Sequence, residues 1–240
     1  MRIGILTSGG DAPGLNAVIR GAVLHGERRH GMSFVGIKDG WRGLVESDLR
    51  PLSRSDVKGI VKVGGTILGS SRTNPFDGDG GVDRINRVMA DAEMDALLVI
   101  GGEGTLAAAN RLADEGIKIV GVPKTVDNDL SATDYTFGFD TAVNIATEAM
   151  DRLRTTGDSH HRCMVAEVMG RHVGWIALHS GMAAGAHVIL IPERKTSFDE
   201  IIAWVTSAAA RGRSPLVCVA EGFQLDTMDD AHSERGLDRK

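Results

Sequence analysis

The sequence predicts an α/β fold with mostly parallel sheets, and three observations carry that expectation. Short apolar runs of strand length recur at Ile3 to Leu6, Phe34 to Ile37, Leu97 to Ile100, Lys118 to Val122, Met164 to Val168, His187 to Ile191 and Leu216 to Ala220. Apolar runs without strict alternation mark strands covered on both faces. Most are followed by a glycine-bearing turn, and several of those turns open into apolar residues at helical spacing. Strand, turn and helix in repetition build a parallel sheet.

From the N-terminus, Ile3 to Leu6 leads into Thr7-Ser8-Gly9-Gly10-Asp11-Ala12-Pro13-Gly14, after which Leu15, Val18, Ile19, Ala22 and Val23 lie on one helix face. Backbone amides of such a turn at a helix N-terminus can hold phosphate, because unpaired N–H groups and the helix dipole both favour an anion. A Gly-Gly pair also fits an ordinary strand-to-helix turn. After the strand Phe34 to Ile37, Lys38-Asp39-Gly40 turns into a segment with Trp41, an aromatic that suits either the core or the cover of a base. Ser55 to Lys62 reads as a short helix. Gly64 to Thr73 (GGTILGSSRT) forms a second loop of glycines and hydroxyls ending near Arg72, whose fork can reach two phosphate oxygens. A solvated loop arginine is the plainer alternative.

Val82 to Met94 is helical by the spacing of Val82, Ile85, Val88 and Met89. The strand Leu97 to Ile100 then delivers Gly101-Gly102-Glu103-Gly104-Thr105 into an alanine-rich helix. A carboxylate among phosphate-binding amides makes chemical sense if a divalent cation lies between it and the phosphates.

Most chemistry is concentrated in Pro123-Lys124-Thr125-Val126-Asp127-Asn128-Asp129-Leu130. The run before it is expected to be a central strand that Pro123 ends, and ligands of open α/β sheets bind at such carboxyl ends. In extended chain Thr125, Asp127 and Asp129 share one face, so three oxygen-bearing groups converge. An Asx-rich turn is the competing reading. Thr141 to Leu153 has helical spacing, with Asp140 and Thr141 as candidate caps. Ser159-His160-His161-Arg162 precedes the strand Met164 to Val168, which ends in Met169-Gly170-Arg171-His172-Val173-Gly174 and another helix. The adjacent histidines project differently and have no third ligand at helical spacing, so no metal is expected there. Phe198 to Ala210 reads as a helix, the strand Leu216 to Ala220 ends in Glu221-Gly222, and Gln224 to Lys240 is polar.

With 240 residues and 42% hydrophobic content, the chain can bury one large or two small cores. Its 31 glycines against 6 prolines sit at the ends of apolar runs and fit tight turns better than disorder. A net charge of −5 gives no reason to expect nucleic acid, so local arginines and amides have to meet any anionic ligand. Cys163 and Cys218 lie in apolar runs without metal-ligand spacing, which points to buried reduced thiols and a cytoplasmic setting. Neither a charged-then-apolar leader nor an apolar run of membrane-spanning length is present, so neither export nor a membrane anchor is expected.

These loops together make the chain resemble the 6-phosphofructokinases, the ATP-using and pyrophosphate-using enzymes that phosphorylate fructose 6-phosphate. The resemblance rests on Thr7 to Asn16 (TSGGDAPGLN), Gly64 to Arg72 (GGTILGSSR), Gly101 to Thr105 (GGEGT), Thr125 to Leu130 (TVDNDL) and Glu167 to Arg171 (EVMGR), in family order. It implies two Rossmann-like three-layer domains, a nucleotide-binding one over 1–138 and a sugar-phosphate-binding one over 139–240, the second incomplete. It implies a cytoplasmic glycolytic kinase, a homo-oligomer (dimer or tetramer), with Mg2+ and ATP.

Roles follow from the same resemblance. Asp127 is implied as general base toward the sugar 1-hydroxyl, Thr125 as a holder of the moving phosphoryl group and Arg171 as the cation that offsets its charge. Gly10, Arg72, Thr73, Gly102, Glu103, Gly104 and Thr105 are implied to line the donor, with Glu103 and Asp129 linked to the metal. Thr125, Val126, Asp127, Arg162, Met169, Gly170, Arg171 and Glu221 are implied on the sugar-phosphate side, Arg162 reaching in from a neighbouring subunit. Glu103 stands where the family's commoner residue is aspartate, and Trp41 where a tyrosine is frequent. Arg20, Arg54, Arg154, Arg211 and Arg213 resemble the basic effector pocket of bacterial relatives. Leu24 and His187 depart from that pocket, which weakens the case for allosteric control. Family chains also continue past the equivalent of Lys240, so a truncation point is expected there.

Position 104 and position 124 hint at opposite donors. Pyrophosphate-using relatives usually carry aspartate at 104, which would crowd and repel the α-phosphate of ATP, whereas Gly104 leaves room. Lys124 replaces a glycine common in bacterial ATP-dependent relatives and matches pyrophosphate-using ones. An excluding element decides specificity more sharply than a permissive one, so ATP is the expected donor. A pyrophosphate-dependent enzyme and a nucleotide-binding fragment without turnover are the alternatives.

Overall fold

The computed structural model describes residues 1–77, 81–131 and 133–226. The chain divides into two compact units, one of Met1–Thr125 with Leu130–Gly138, the other of Val126–Asp129 with the chain from Phe139 onward.

In the first unit, strands β1 (Arg2–Ser8), β2 (Ser33–Ile37), β3 (Leu49–Leu52), β4 (Ala96–Gly101), β5 (Ile119–Thr125) and β6 (Phe137–Gly138) form one sheet. Its order is β3-β2-β1-β4-β5-β6, and every pairing is parallel except that of β2 with β3. Helices α1 (Leu15–His30), α2 (Trp41–Glu46), α3 (Gly81–Asp91) and α4 (Glu103–Asp114) accompany it. Alternate residues of the strands feed two separate cores, as the two-residue period of a strand demands. Leu6, Val35, Ile37, Leu97 and Val99 pack with α2, α3 and α4, while Ile5, Phe34 and Ile100 pack with α1, Val57, Ile60 and Leu68. The result is three layers with α1 and α4 on opposite faces. Because the chain leaves β1 toward β2 and later returns to add β4 on the other side, β1 and β4 bracket a topological switch point, where carboxyl-end loops diverge and leave a crevice.

The second unit has strands β7 (Met164–Val168), β8 (Val188–Leu190) and β9 (Leu216–Ala220), parallel throughout in the order β7-β9-β8. Helices α5 (Phe139–His160) and α6 (Trp175–Ala183) supply Met150 and Ala177 to one face of this sheet, joined by Ala184 just beyond α6, and α7 (Phe198–Ala210) packs Ile201, Trp204 and Val205 on the other. The expected α/β class with mostly parallel sheets is borne out. No helix among the described residues is long and apolar enough to cross a membrane.

Several local expectations need correction. Pro123 does not end its strand: β5 runs on to Thr125, Gly101 pairs with Pro123, and Lys124 and Thr125 pair with β6. Nor is β5 central along its length, since β6 covers only its last two residues and Val120 is 61% exposed. Asp140 and Thr141 do not cap α5, which already begins at Phe139. Ser55 to Lys62 is a run of turns with one short 3₁₀ segment, Ile60–Lys62, in place of a helix. Strand β3 pairs antiparallel through Leu49–Leu52, a pattern that four residues around Pro51 did not announce. Cys218 is buried as expected, but Cys163 is exposed. Residues from 227 on lie outside the described part, so the polar character read from Gln224 to Lys240 has a structural counterpart only up to Asp226.

Candidate functional site

The first unit brings three loops together at the carboxyl end of its sheet. Ser8 pairs with Gly101, and Gly101 with Pro123, so the turns that follow β1 and β4 and the end of β5 stand side by side.

Helix α4 starts at Glu103 directly after β4, with Gly102 at the N-cap and no side chain capping it. The first helical N–H to find an intrahelical carbonyl is that of Leu106, 2.9 Å from the Gly102 oxygen. The amides of Glu103, Gly104 and Thr105 therefore lack helical acceptors, and together with the dipole they favour an anion. Gly101 and Gly104 owe their glycines to different causes. A Cβ on Gly101 would lie 2.4 Å from Cβ of buried Thr105, so only glycine fits there. A Cβ on Gly104 would meet no heavy atom within 4 Å, so the position is sterically open.

Lys124 is 5% exposed, and its ammonium donates to the carbonyl oxygen of Gly10. A buried cation needs such a charge-assisted acceptor. The contact ties the end of β5 to the first glycine turn. Backbone and hydroxyl groups stitch that turn to the Gly64–Thr73 loop: Gly9 N–H and Ser8 Oγ both donate to Ser71 O at 3.0 Å, Ser70 Oγ donates to Gly9 O, and Thr7 Oγ1 donates to Gly69 O at 2.8 Å. Arg72, exposed, and Thr73, half-buried, emerge from this seam. The turn leads, as expected, into α1, which begins at Leu15 with Gly14 as its N-cap; within the turn the amide of Gly9 already has an acceptor in Ser71 O. Trp41 is core and not a base cover, being 1% exposed; its Nε1 has no hydrogen-bond partner among the described residues.

Thr125 closes β5 in the first unit, and its carbonyl accepts from Thr136 Oγ1 at 2.8 Å. Val126–Asp129 falls in the second unit. The extended geometry that was to align Thr125, Asp127 and Asp129 does not occur, because the chain bends at Val126 and Asp127 and Asn128 takes a left-handed φ of 57°. Asparagine tolerates that conformation better than most residues. Asp127 is half-buried and Asp129 exposed.

Also in the second unit, the loop after β7 is held by carboxylates from its neighbours. Glu221 Oε1 accepts the backbone N–H of Gly170 at 2.9 Å and of Arg171 at 2.7 Å. Glu193 Oε1 accepts that of Gly174 at 2.8 Å. Arg171 has φ 53°, and its exposed side chain, like that of Met169, is presented from a backbone these bonds fix. Glu221 thus has a loop-holding part that its resemblance-based role did not include, and Glu193 was missed altogether. Arg162 is exposed just beyond α5. Elsewhere in this unit Arg154 donates to the carbonyls of Ala184 and Gly185. Burial, then the guanidiniums of Arg154, Arg213 and Arg211, hold the His187 imidazole below its ordinary pKa.

Glu103 and Asp129 are exposed carboxylates, the hard oxygen donors that Mg2+ takes. Among the described residues no group of three or more His, Cys, Asp or Glu could hold a metal. Mg2+ uses one or two carboxylates with waters and substrate phosphates, so each of these carboxylates, on its own unit, is a donor of the kind that a metal arriving with a phosphorylated ligand takes.

Comparison with known proteins places the chain in a family. The family model described as "Phosphofructokinase" matches residues 2–237. The chain is 61% identical over 222 residues to a pyrophosphate–fructose 6-phosphate 1-phosphotransferase of Amycolatopsis mediterranei, covering 92% of this chain and 65% of that protein. It is 56% identical over 232 residues to ATP-dependent 6-phosphofructokinase 3 of Streptomyces coelicolor, covering 95% and 68%. It therefore spans about two-thirds of the length of these relatives. Among solved structures, Pichia pastoris phosphofructokinase in the T-state superposes with a TM-score of 0.86 at 36% identity, over 98% of this chain and 27% of that one. With strand order, loops and family model in agreement, the chain belongs to the phosphofructokinase family.

Proposed function

We propose that the chain carries a site for moving the terminal phosphoryl group of Mg-ATP onto the 1-hydroxyl of fructose 6-phosphate. The first unit is the nucleotide side and the second the sugar-phosphate side. The observation that carries this reading is the start of α4, where an uncapped first turn leaves β4 at the switch point and Gly104 is open. Phosphoryl transfer asks mainly for positioned charge, and unpaired amides at a helix N-terminus supply it without reorganisation.

In this reading Gly10, Arg72, Thr73, Gly102, Glu103, Gly104 and Thr105 receive the donor. Asp127 takes the proton of the attacking hydroxyl, Thr125 steadies the moving group and Arg171 offsets its charge. Arg162 of a neighbouring subunit grips the 6-phosphate of the sugar, while Val126, Met169, Gly170 and Glu221 complete the acceptor side. Glu103 and Asp129 would hold Mg2+, whose charge neutralises the transferred phosphate oxygens.

A pyrophosphate-dependent reaction is the second reading, favoured by Lys124 and by the name of the Amycolatopsis relative. The ammonium of Lys124 donates to the carbonyl of Gly10, a contact that serves either donor. The open space at Gly104 supports ATP, since a side chain there would enter the room an α-phosphate needs.

The test is steady-state kinetics with each donor. ATP should support turnover and pyrophosphate should not, Gly104→Asp should lose ATP use, and Asp127→Asn should lower kcat by roughly 10² to 10⁴ with sugar binding little changed. Turnover with pyrophosphate alone would replace the donor, and a fully active Asp127→Asn protein would remove the base.

A further inference from the structure

Asn16 belongs to none of the roles above, yet both ends of its side-chain amide are hydrogen-bonded to the backbone of the Gly64–Thr73 loop region. It lies in the first turn of α1 and is 1% exposed. Its Nδ2 donates to the carbonyl of Val63 at 2.9 Å, and its Oδ1 accepts the N–H of Ile67 at 2.9 Å. One amide thus closes the arc Val63-Gly64-Gly65-Thr66-Ile67 from both ends. Within the arc a Cβ on Gly64 would meet nothing within 4 Å and Gly65 has φ 67°, while Thr66 Oγ1 lies 2.8 Å from Thr7 Oγ1 and Thr66 O accepts the N–H of Gly69 at 3.3 Å. Immediately beyond it, Leu68 is fully buried, and the seam to Thr7, Ser8 and Gly9 follows, ending at Arg72. A glycine pair is flexible by construction, so the amide of Asn16 adds to the contacts of Thr7 in fixing where the loop toward Arg72 begins.

We propose that Asn16 is a positioning residue that fixes the Gly64–Ser71 loop on α1 and so sets the donor affinity delivered through Arg72. The claim rests on the reading of Arg72 as a donor contact. The chemistry demands an amide in this pocket. A hydroxyl is too short to reach both groups, an apolar isostere leaves the Val63 carbonyl and the Ile67 N–H without this partner, and a carboxylate turns an acceptor toward the Val63 carbonyl.

That last point gives the test. In Asn16→Asp the buried carboxyl is expected to have a raised pKa, and once protonated its O–H can donate to Val63 while its carbonyl accepts from Ile67, restoring the amide pattern. Binding of Mg-ATP and of pyrophosphate to wild type and variant is measured by calorimetry between pH 5.5 and 8, beside hydrogen exchange of the Ile67 amide. The expected result is donor binding weakened by roughly tenfold at pH 8 and recovering on acidification in the variant alone, with Ile67 exchanging faster in the variant than in the wild type at pH 8 and equally at pH 5.5. Equal donor affinity and equal exchange at pH 8 would overturn the inference, and so would a loss that does not recover at low pH in a folded variant. A wild type that binds neither donor overturns the donor reading itself; Ile67 exchange then judges the anchoring separately, and an unchanged rate refutes it.

Discussion

The imidazole of His187 accepts the N–H of Leu216 at Nδ1, 3.1 Å away, which requires that nitrogen to be unprotonated. Burial and then Arg154, Arg213 and Arg211 disfavour the cation further, so the folded pKa lies below its ordinary value. As pH falls below about 6.5 the unfolded chain takes up the proton first. The stability this residue contributes is therefore present above that pH and is lost on acidification. Melting temperature should fall between pH 7 and 5 more steeply in the wild type than in His187→Asn, whose side-chain oxygen can still accept from Leu216. Identical slopes would show that His187 does not titrate across folding. Other single residues were less legible. Gly101 and Gly104 are the same letter in one motif, yet one is forced by Thr105 and the other is open, a difference that only the three-dimensional neighbours decide. Trp41 was ambiguous in sequence because core and base-covering aromatics share one composition, and burial alone resolves it.

At the level of elements, α7 has a complete capping box. Ser197 Oγ accepts the N–H of Glu200 at 3.3 Å, and the Glu200 carboxylate accepts that of Ser197 at 2.9 Å. Ser197→Ala should cost about 1 kcal/mol of stability; chemical denaturation measures this, and a change below a few tenths would mean that solvent caps the helix equally well. Helices such as α7 and strands such as β7 and β9 were legible because periodicity and end signals agree. Strand β3 and the Ser55–Lys62 turns were not, since short segments take their structure from β2 and α1 and not from their own pattern. Pro123 misled for a physical reason: a proline ends a ladder only where its missing N–H was needed, and β5 has no partner strand on its far side before Lys124.

For the molecule as a whole, the parallel architecture and the glycine loops were readable from strand-turn-helix repetition. The division of the stretch Lys124 to Asp129 between two units was not. Nothing in its composition marks where one core ends, and the left-handed turn at Asn128 becomes visible only in the folded backbone. The stitching of the donor loops also has a kinetic side. Ser8 meets Ser71 across 63 residues, Thr7 meets Gly69 across 62, and Lys124 meets Gly10 across 114. Each contact closes a long loop before it returns any enthalpy, so none can guide early collapse, and local helices form first. Ligand competence is thus a late event of folding. On the proposed reading of these loops as an ATP site, refolding followed by far-UV circular dichroism should run ahead of the recovery of Mg-ATP binding, and simultaneous recovery would mean that the β1–β4 crossover nucleates the fold. On that reading a newly made chain would pass through an interval in which it has its helices but no affinity for its donor, so a bound donor could not rescue it from misfolding until the seam had closed.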